Sequence, residues 1–105
     1  MFVEFNRDNQ VSEGEASQEQ VEEIVNRRLS RIAGRVTSAE VHIGHVKESR
    51  TNNPEFRCSI EVRPENLGAV AASAEGVGIE AVVRSACDKV LHAYDKVIGK
   101  QQAAG

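Results

Sequence analysis

The chain has 105 residues, of which 40% are hydrophobic and 28% charged, and its formal net charge at pH 7 is −3. These values are typical of a soluble globular protein with a two-layer core, and we predict one domain over residues 1–100 with a disordered tail at 101–105. Four aromatic residues and no Trp are too few for a platform that stacks single-stranded bases. The acidic net charge argues against a uniformly basic nucleic-acid-binding protein.

The two cysteines and the N-terminal residues indicate the cellular compartment of the protein. Cys58 falls in a predicted strand and Cys87 at the edge of a helix's apolar face, so we expect reduced, packed thiols rather than a disulfide. Charged residues follow Met1 at once, beginning with Glu4 and Arg7, so we expect no apolar leader. No apolar run approaches 18 residues, the length that spans a membrane. We therefore predict a cytosolic protein with no membrane partner.

The N-terminal part of the chain predicts a strand, a long loop and a helix. Residues 1–6 alternate as a strand does, whereas residues 7–17 are polar and acidic without periodicity, which is typical of a mobile loop. Ser17 and Gln20 have the spacing of a capping box, which begins a helix over residues 18–35. Its buried stripe comprises Val21, Ile24, Val25, Leu29, Ile32 and Val36.

The rest of the chain predicts three strands and a second helix. Residues 38–47 and 56–63 alternate between apolar and polar types, and residues 48–55 between them are turn formers. A strand of small residues follows at 69–74, and the longest periodic segment predicts a helix over 79–100. The apolar stripe of this helix comprises Ile79, Val82, Val83, Ala86, Val90, Tyr94, Val97 and Ile98.

The element order β-α-β-β-β-α predicts the fold class. It indicates an α+β two-layer sandwich, with one four-stranded sheet and two helices packed on one face. The apolar face of the sheet must be covered by both helices. The opposite face is polar and comprises Glu40, His42, Arg57, Glu61 and Arg63.

Catalytic and metal-binding patterns are weak. His42 and His45 are three residues apart on a strand, so their side chains point to opposite faces and do not converge on a metal ion unaided. Gly76 and Gly78 form only a fragment of a phosphate-binding loop and better fit a helix entry. No pattern assembles a nucleophile, a base and an oxyanion donor. We predict a protein that is not an enzyme, with no cofactor, metal or small-molecule substrate.

The charged residues are segregated along the chain and around the helices. Residues 18–36 and 79–100 each have four cationic Arg or Lys residues against three acids, so the remainder carries a net −5. On a helical wheel the basic residues lie on one flank of each apolar stripe. These candidates for contact with RNA phosphates are Arg27, Arg28, Arg31, Arg35, Lys89, His92, Lys96 and Lys100. The alternative is that they are solvated side chains at the edges of buried stripes.

The C-terminal part of the chain resembles a known family. The run Ala72-Ser73-Ala74-Glu75-Gly76, then Ala81 and Asp88-Lys89-Val90, is similar to the ribosome hibernation-promoting factor and ribosome-associated inhibitor family, as is the element order. The similarity extends over residues 1–100 and is most specific in 72–100. The chain resembles the short forms of that family, which lack a dimerising C-terminal extension.

The resemblance implies a function and a set of residues. Members bind the small ribosomal subunit in the channel used by tRNA and mRNA, contact ribosomal RNA through basic helix surfaces and silence idle ribosomes under stress. In this sequence Arg28, Arg31, Lys89, Lys96 and Lys100 fall at basic positions of the family. His92 stands at a place often held by Arg, and Arg84 where an acid is common.

The leading hypothesis is therefore a bacterial-type translation regulator that binds the small ribosomal subunit and its RNA, with no DNA partner. The alternative is a protein-interaction or regulatory module on the same fold that does not bind the ribosome tightly. Such a module would use the acidic loop 7–17 or the polar sheet face.

Overall fold

The computed structural model describes residues 1–46 and 55–104, with side chains to residue 100. The elements follow in the order β1 Phe2–Arg7, α1 Gln18–Arg28, a 3-10 turn Ser30–Ile32, β2 Val36–His45, β3 Phe56–Pro64, β4 Val70–Gly76 and α2 Ile79–Ala104. This order confirms the predicted α+β fold. The predicted turn at 48–55 lies, apart from its last residue, outside the described residues.

The four strands form one sheet in the order β1-β2-β3-β4. β1 pairs with β2 in parallel, and the other neighbours are antiparallel. Parallel neighbours need a crossover connection, which α1 provides. The register aligns Phe5 with Val41, Val41 with Ile60 and Ile60 with Ala72, so one row of apolar side chains crosses the whole helix-facing side of the sheet.

Both helices cover that apolar side of the sheet, as predicted. α2 packs mainly on β4 and β3 and lies beside α1. Side chains with almost no exposed surface come from both layers: Val41, Ile43, Cys58, Ile60 and Val62 from the sheet, and Val21, Val25, Val83, Ala86 and Val90 from the helices. The period-2 alternation of β2 and β3 thus decides which face is buried.

The first helix is shorter than the sequence predicts. It ends at Arg28, and Leu29 adopts φ −95° and ψ 10°, after which the chain forms a 3-10 turn. Leu29 and Ile32 are nevertheless buried. The spacing of apolar residues that is typical of a helix therefore continues past the end of α1. Ser30 and Gly34 disfavour helix at this point. The predicted helix over 18–35 is therefore wrong from residue 29 onward.

The N-cap of α1 forms half of the predicted capping box. Ser17 Oγ accepts a hydrogen bond from the backbone N–H of Gln20 at 3.2 Å. The side chain of Gln20 does not return to the cap, because its Nε2 donates to Glu80 of α2 instead. Gln20, which the sequence predicts to be part of the capping box, thus links the two helices.

The loop before α1 is anchored to the body of the protein, contrary to the expectation of a mobile connection. Val11 and Ala16 are buried, and Arg7 Nη1 donates to the carbonyl oxygen of Ala16 at 2.9 Å. Within the loop, the backbone N–H and hydroxyl of Ser12 donate to the carboxylate of Glu15 at 3.0 and 3.1 Å. The backbone bond from Ser12 lowers the pKa of Glu15.

The second helix extends beyond its predicted end. α2 has 26 residues and reaches Ala104, so the structure places helix in the segment for which we predicted a disordered tail. At 1.5 Å per residue it is roughly 39 Å long, more than the strands beneath it require. Within the described part of the chain, no helix is both long and apolar enough to cross a membrane.

Candidate nucleic-acid interface

The two helices run parallel and are joined by polar contacts along their shared side. Gln20 bonds Glu80 near the start of both helices, and Arg28 bonds Asp88 further along. The α2 residues facing α1 form one stripe at spacings of four, four and seven: Glu80, Arg84, Asp88 and Asp95. This stripe is mostly acidic, and its Asp88 lies against the basic end of α1.

We call Arg27, Arg28, Arg31 and Arg35 the arginine group, and three of them pair with carboxylates. Arg27 binds Glu23 one turn back at 2.8 Å, with both side chains well exposed. Arg28 Nη1 lies 3.3 Å from Asp88 Oδ1. Exposed pairs of this kind are worth only about 0–1 kcal/mol, and each guanidinium has five donors, so neither arginine is saturated.

Arg31 and Arg35 lie outside α1, because the helix ends at Arg28. Arg31 is in the 3-10 turn and makes two hydrogen bonds to Asp95, at 3.1 and 3.0 Å. Arg35 is in the connection to β2, where its backbone carbonyl accepts from Glu65 N–H at 3.1 Å. Its exposed side chain borders a shallow groove that also includes Pro64, Glu65, Tyr94 and Ile98. The arginine group therefore extends over three structural contexts rather than one helix.

We call Lys89, His92, Lys96 and Lys100 the lysine group, and all four side chains are exposed. No ion pair joins any of them to another residue in the described ranges. Lys89 lies about 100° around the helix from Asp88, on the side away from α1. Val82 shares that side and contacts the end of β4, since a Cβ on Gly76 would lie 3.1 Å from Val82 Cγ2. The lysine group therefore lies on the β4 side of α2.

The structure thus brings the two helices together but keeps the two basic groups apart. Asp88 and Asp95 face the arginine group on one side of α2, whereas Lys89, Lys96 and Lys100 lie further around the helix, and His92 lies between these two sets. A ligand that touched both groups would have to cross the exposed ridge of α2. The basic candidates of the two helices therefore form two strips on the surface, with Asp88 and Asp95 of the acidic stripe between them.

Arg84 is a basic residue that sequence reasoning did not include among the site candidates. It lines a groove between the helices together with Glu23, Ile24, Arg27 and Arg28. Its Nη1 is 3.7 Å from Glu80 Oε2, an ion pair too long for a hydrogen bond. The sequence feature that could have identified Arg84 is its position four residues after Glu80, on the side of α2 that meets α1.

The described histidines of the sheet lie beside carboxylates, and the two cysteines are buried. His42 Nε2 is 2.6 Å from Asp8 Oδ1, and His45 Nε2 is 3.6 Å from Glu15 Oε2, so each histidine has its own carboxylate. Among the residues that the structure describes, no three His, Cys, Asp or Glu side chains group as metal ligands. Burial raises the pKa of both Cys58 and Cys87 to about 12, which leaves these thiols protonated and poorly nucleophilic at neutral pH.

Comparisons with known proteins support the fold. No protein-family model and no curated protein matches the chain. The Protein Y N-terminal domain of Thermus thermophilus aligns with a TM-score of 0.63 and 19% identity, over 86% of this chain and 91% of that one. A ribosomal subunit interface protein from Coxiella burnetii aligns with a TM-score of 0.63 and 15% identity, over 98% and 99%. At these identities the similarity establishes a shared fold.

Proposed function

We propose that this protein is a non-enzymatic, cytoplasmic ribosome-associated factor that binds the small ribosomal subunit and silences idle ribosomes. The observation that supports this proposal is the set of exposed basic side chains on two parallel helices, on a fold shared with a ribosomal subunit interface protein. In this view residues 1–100 form the ribosome-binding domain.

The proposed contacts are to phosphates of ribosomal RNA. The lysine group has no ion pairs within the described residues, and Arg27 and Arg28 have unused donors, so both strips can bind phosphate oxygens. Phosphate contacts position a protein on RNA, whereas the shape of a folded RNA selects the site. The two strips would bind separate backbone segments, with the ridge of α2 between them.

Sucrose-gradient co-sedimentation with purified ribosomes in low salt tests the proposal. We expect wild-type protein to migrate with small subunits, and Lys89→Glu combined with Lys96→Glu to abolish the migration. Arg57→Glu combined with Arg63→Glu, on the opposite face of the sheet, is the matched control and should leave the migration unchanged. Circular dichroism verifies that each variant is folded. Absence of wild-type protein from the ribosomal fractions would refute the proposal.

One observation supports the alternative function, a protein-interaction module. Glu4, Glu40 and Glu61 are direct register partners on three neighbouring strands and project from the open face of the sheet. Like charges directly opposite each other destabilise a sheet, and among the described residues Arg63 at 2.9 Å compensates only Glu61 of this row, so Glu4 and Glu40 are the members that suit a basic protein partner. Retention of a partner after nuclease treatment, weakened by changing Glu40 to Gln, would favour this alternative over ribosomal RNA binding.

A further inference from the structure

We propose that the groove between α1 and α2 is a phosphoryl-binding site, formed by Arg27, Arg28 and Arg84. Its ligand would be a phosphate of the RNA backbone, so the choice of ligand rests on the proposed function. The site itself rests on the groove, whose volume is about 190 Å³. Arg84 is its distinguishing member, because it reaches the groove from α2, whereas Arg27 and Arg28 are on α1.

The composition of the groove favours an anion. Three guanidinium groups from two helices line it, against the single carboxylate of Glu23. Ile24 is partly buried and provides an apolar surface beside the cations. The other carboxylates that touch these arginines, Glu80 and Asp88, are not part of the lining. The groove surface itself thus presents three guanidinium groups and one carboxylate, while the partner carboxylates of Glu80 and Asp88 lie just outside it.

The donors of the three arginines are largely available. Arg27 and Arg28 each use one N–H for a carboxylate, and Arg84 makes no hydrogen bond to a side chain within the described part of the chain. A guanidinium offers five donors in a planar fork that matches two phosphate oxygens. The carboxylates of Glu23 and Asp88 hold their arginines in place without exhausting them, so a phosphate can bind without breaking either ion pair.

Arg31 does not belong to the site, because the hydrogen-bond donors of its guanidinium fork are already used. Its Nη1 and Nη2 both bond Asp95, so the fork that would grip a phosphate is already engaged. We therefore expect Arg84 to contribute more to phosphate binding than Arg31.

The first test is a titration of the full chain with sodium pyrophosphate, followed through the arginine Nε–H signals by NMR. We expect the signals of Arg27, Arg28 and Arg84 to shift together and Arg84→Gln to weaken the binding about tenfold or more. Arg57→Gln is the matched control, because Arg57 is an exposed arginine whose Nη1 is 3.5 Å from Glu75, as Arg84 is 3.7 Å from Glu80. Equal binding by the Arg84→Gln and Arg57→Gln variants would overturn the site.

The second test uses a short ribosomal RNA helix and separates this site from the proposed function. We expect Arg84→Gln to lower RNA affinity and to reduce the slope of log affinity against log salt by about one, with no change for Arg57→Gln. If the Nε–H signals of Arg27, Arg28 and Arg84 shift with RNA but not with pyrophosphate, the site binds backbone phosphate alone. If the protein associates with ribosomes but the Nε–H signals of these three arginines shift with neither RNA nor pyrophosphate, the site is overturned and the proposed function stands. Pyrophosphate binding without ribosome association supports the site and refutes the function.

Discussion

Arg31 and Asp95 face each other across two hydrogen bonds, Nη1 to Oδ1 at 3.1 Å and Nη2 to Oδ2 at 3.0 Å. This two-bond geometry joins the 3-10 turn after α1 to the second half of α2, 64 residues later in the chain. The ion pair between Arg28 of α1 and Asp88 of α2 has one bond of 3.3 Å. Because α2 continues past the sheet, this contact helps to hold its distal half against the rest of the protein.

A double-mutant cycle with Arg31→Gln and Asp95→Asn measures this contact. We expect a coupling energy of about 0.5–1 kcal/mol in the free energy of unfolding, the upper part of the range for exposed pairs, because the geometry is bidentate. Denaturant unfolding of the four proteins gives the value. The matched cycle with Arg27→Gln and Glu23→Gln, an exposed pair within one helix, should give about 0.3–0.5 kcal/mol. Equal couplings for the two pairs would contradict the structural distinction.

Removal of the N-cap hydroxyl destabilises α1. Ser17→Ala takes away the acceptor of the Gln20 N–H bond, and we expect the free energy of unfolding to fall by about 1 kcal/mol. Ser17→Asn is the control, since an Asn side chain also caps a helix and should retain nearly all the stability. Thermal unfolding followed by circular dichroism provides the comparison. If alanine and asparagine behave alike, the cap does not stabilise the helix.

A side chain at Gly44 displaces a neighbouring carboxylate. A Cβ at this position would contact Asp8 Oδ2, and Asp8 Oδ1 is 2.6 Å from His42 Nε2. We expect Gly44→Ala to break the Asp8–His42 contact and to leave the protein about 0.5–1 kcal/mol less stable than Gly34→Ala does, because both substitutions share the same entropy gain. The measurements are the unfolding free energy and the NMR signals of the His42 ring.

Gly34 provides the control for that substitution. A Cβ at Gly34 would have no heavy atom within 4 Å, and no glycine in the described residues has a positive φ. Gly34→Ala should therefore be neutral or stabilise the protein by up to about 1 kcal/mol, through the lower entropy of the unfolded chain. Equal destabilisation by both substitutions would show that the Asp8 contact is not the cause.

The buried thiols make stability depend on pH in the alkaline range. Burial raises the pKa of Cys58 and Cys87 to about 12, above the ordinary value of about 8.5 in the unfolded chain. Below about pH 8.5 both states keep the thiol protons and stability is unaffected. As the pH rises toward 12, unfolding releases those protons, so the free energy of unfolding falls by up to about 1.4 kcal/mol per pH unit for each thiol.

Denaturant unfolding between about pH 8 and pH 10 checks this slope. A variant with Cys58→Ala and Cys87→Ala is less stable at every pH because it loses buried atoms, but its stability should decline less steeply. In the native wild-type protein, both thiols should resist alkylation by iodoacetamide at neutral pH. Identical slopes for wild type and variant, or rapid native alkylation, would contradict the assignment.

The sequence by itself determined the element order, the buried faces and the identity of the exposed basic residues. Alternation in residues 56–63 and the three- and four-residue spacing in 79–100 report which side chains are buried, because each element buries one face against the other layer. Ser17 marked the start of α1 correctly, since an N-cap is a local interaction. Its end was misplaced because Leu29 and Ile32 remain buried in a 3-10 turn that repeats the helical spacing.

Only the tertiary structure decided which charges meet. The pairs Arg28–Asp88 and Arg31–Asp95 join residues 60 and 64 positions apart, and their formation depends on the direction and rotation of two packed helices. Periodicity gives the buried side of each helix but not the side that meets its neighbour. For that reason the sequence placed all eight basic candidates on equal terms, and the groove with Arg84 became visible only once the helices were packed on the sheet.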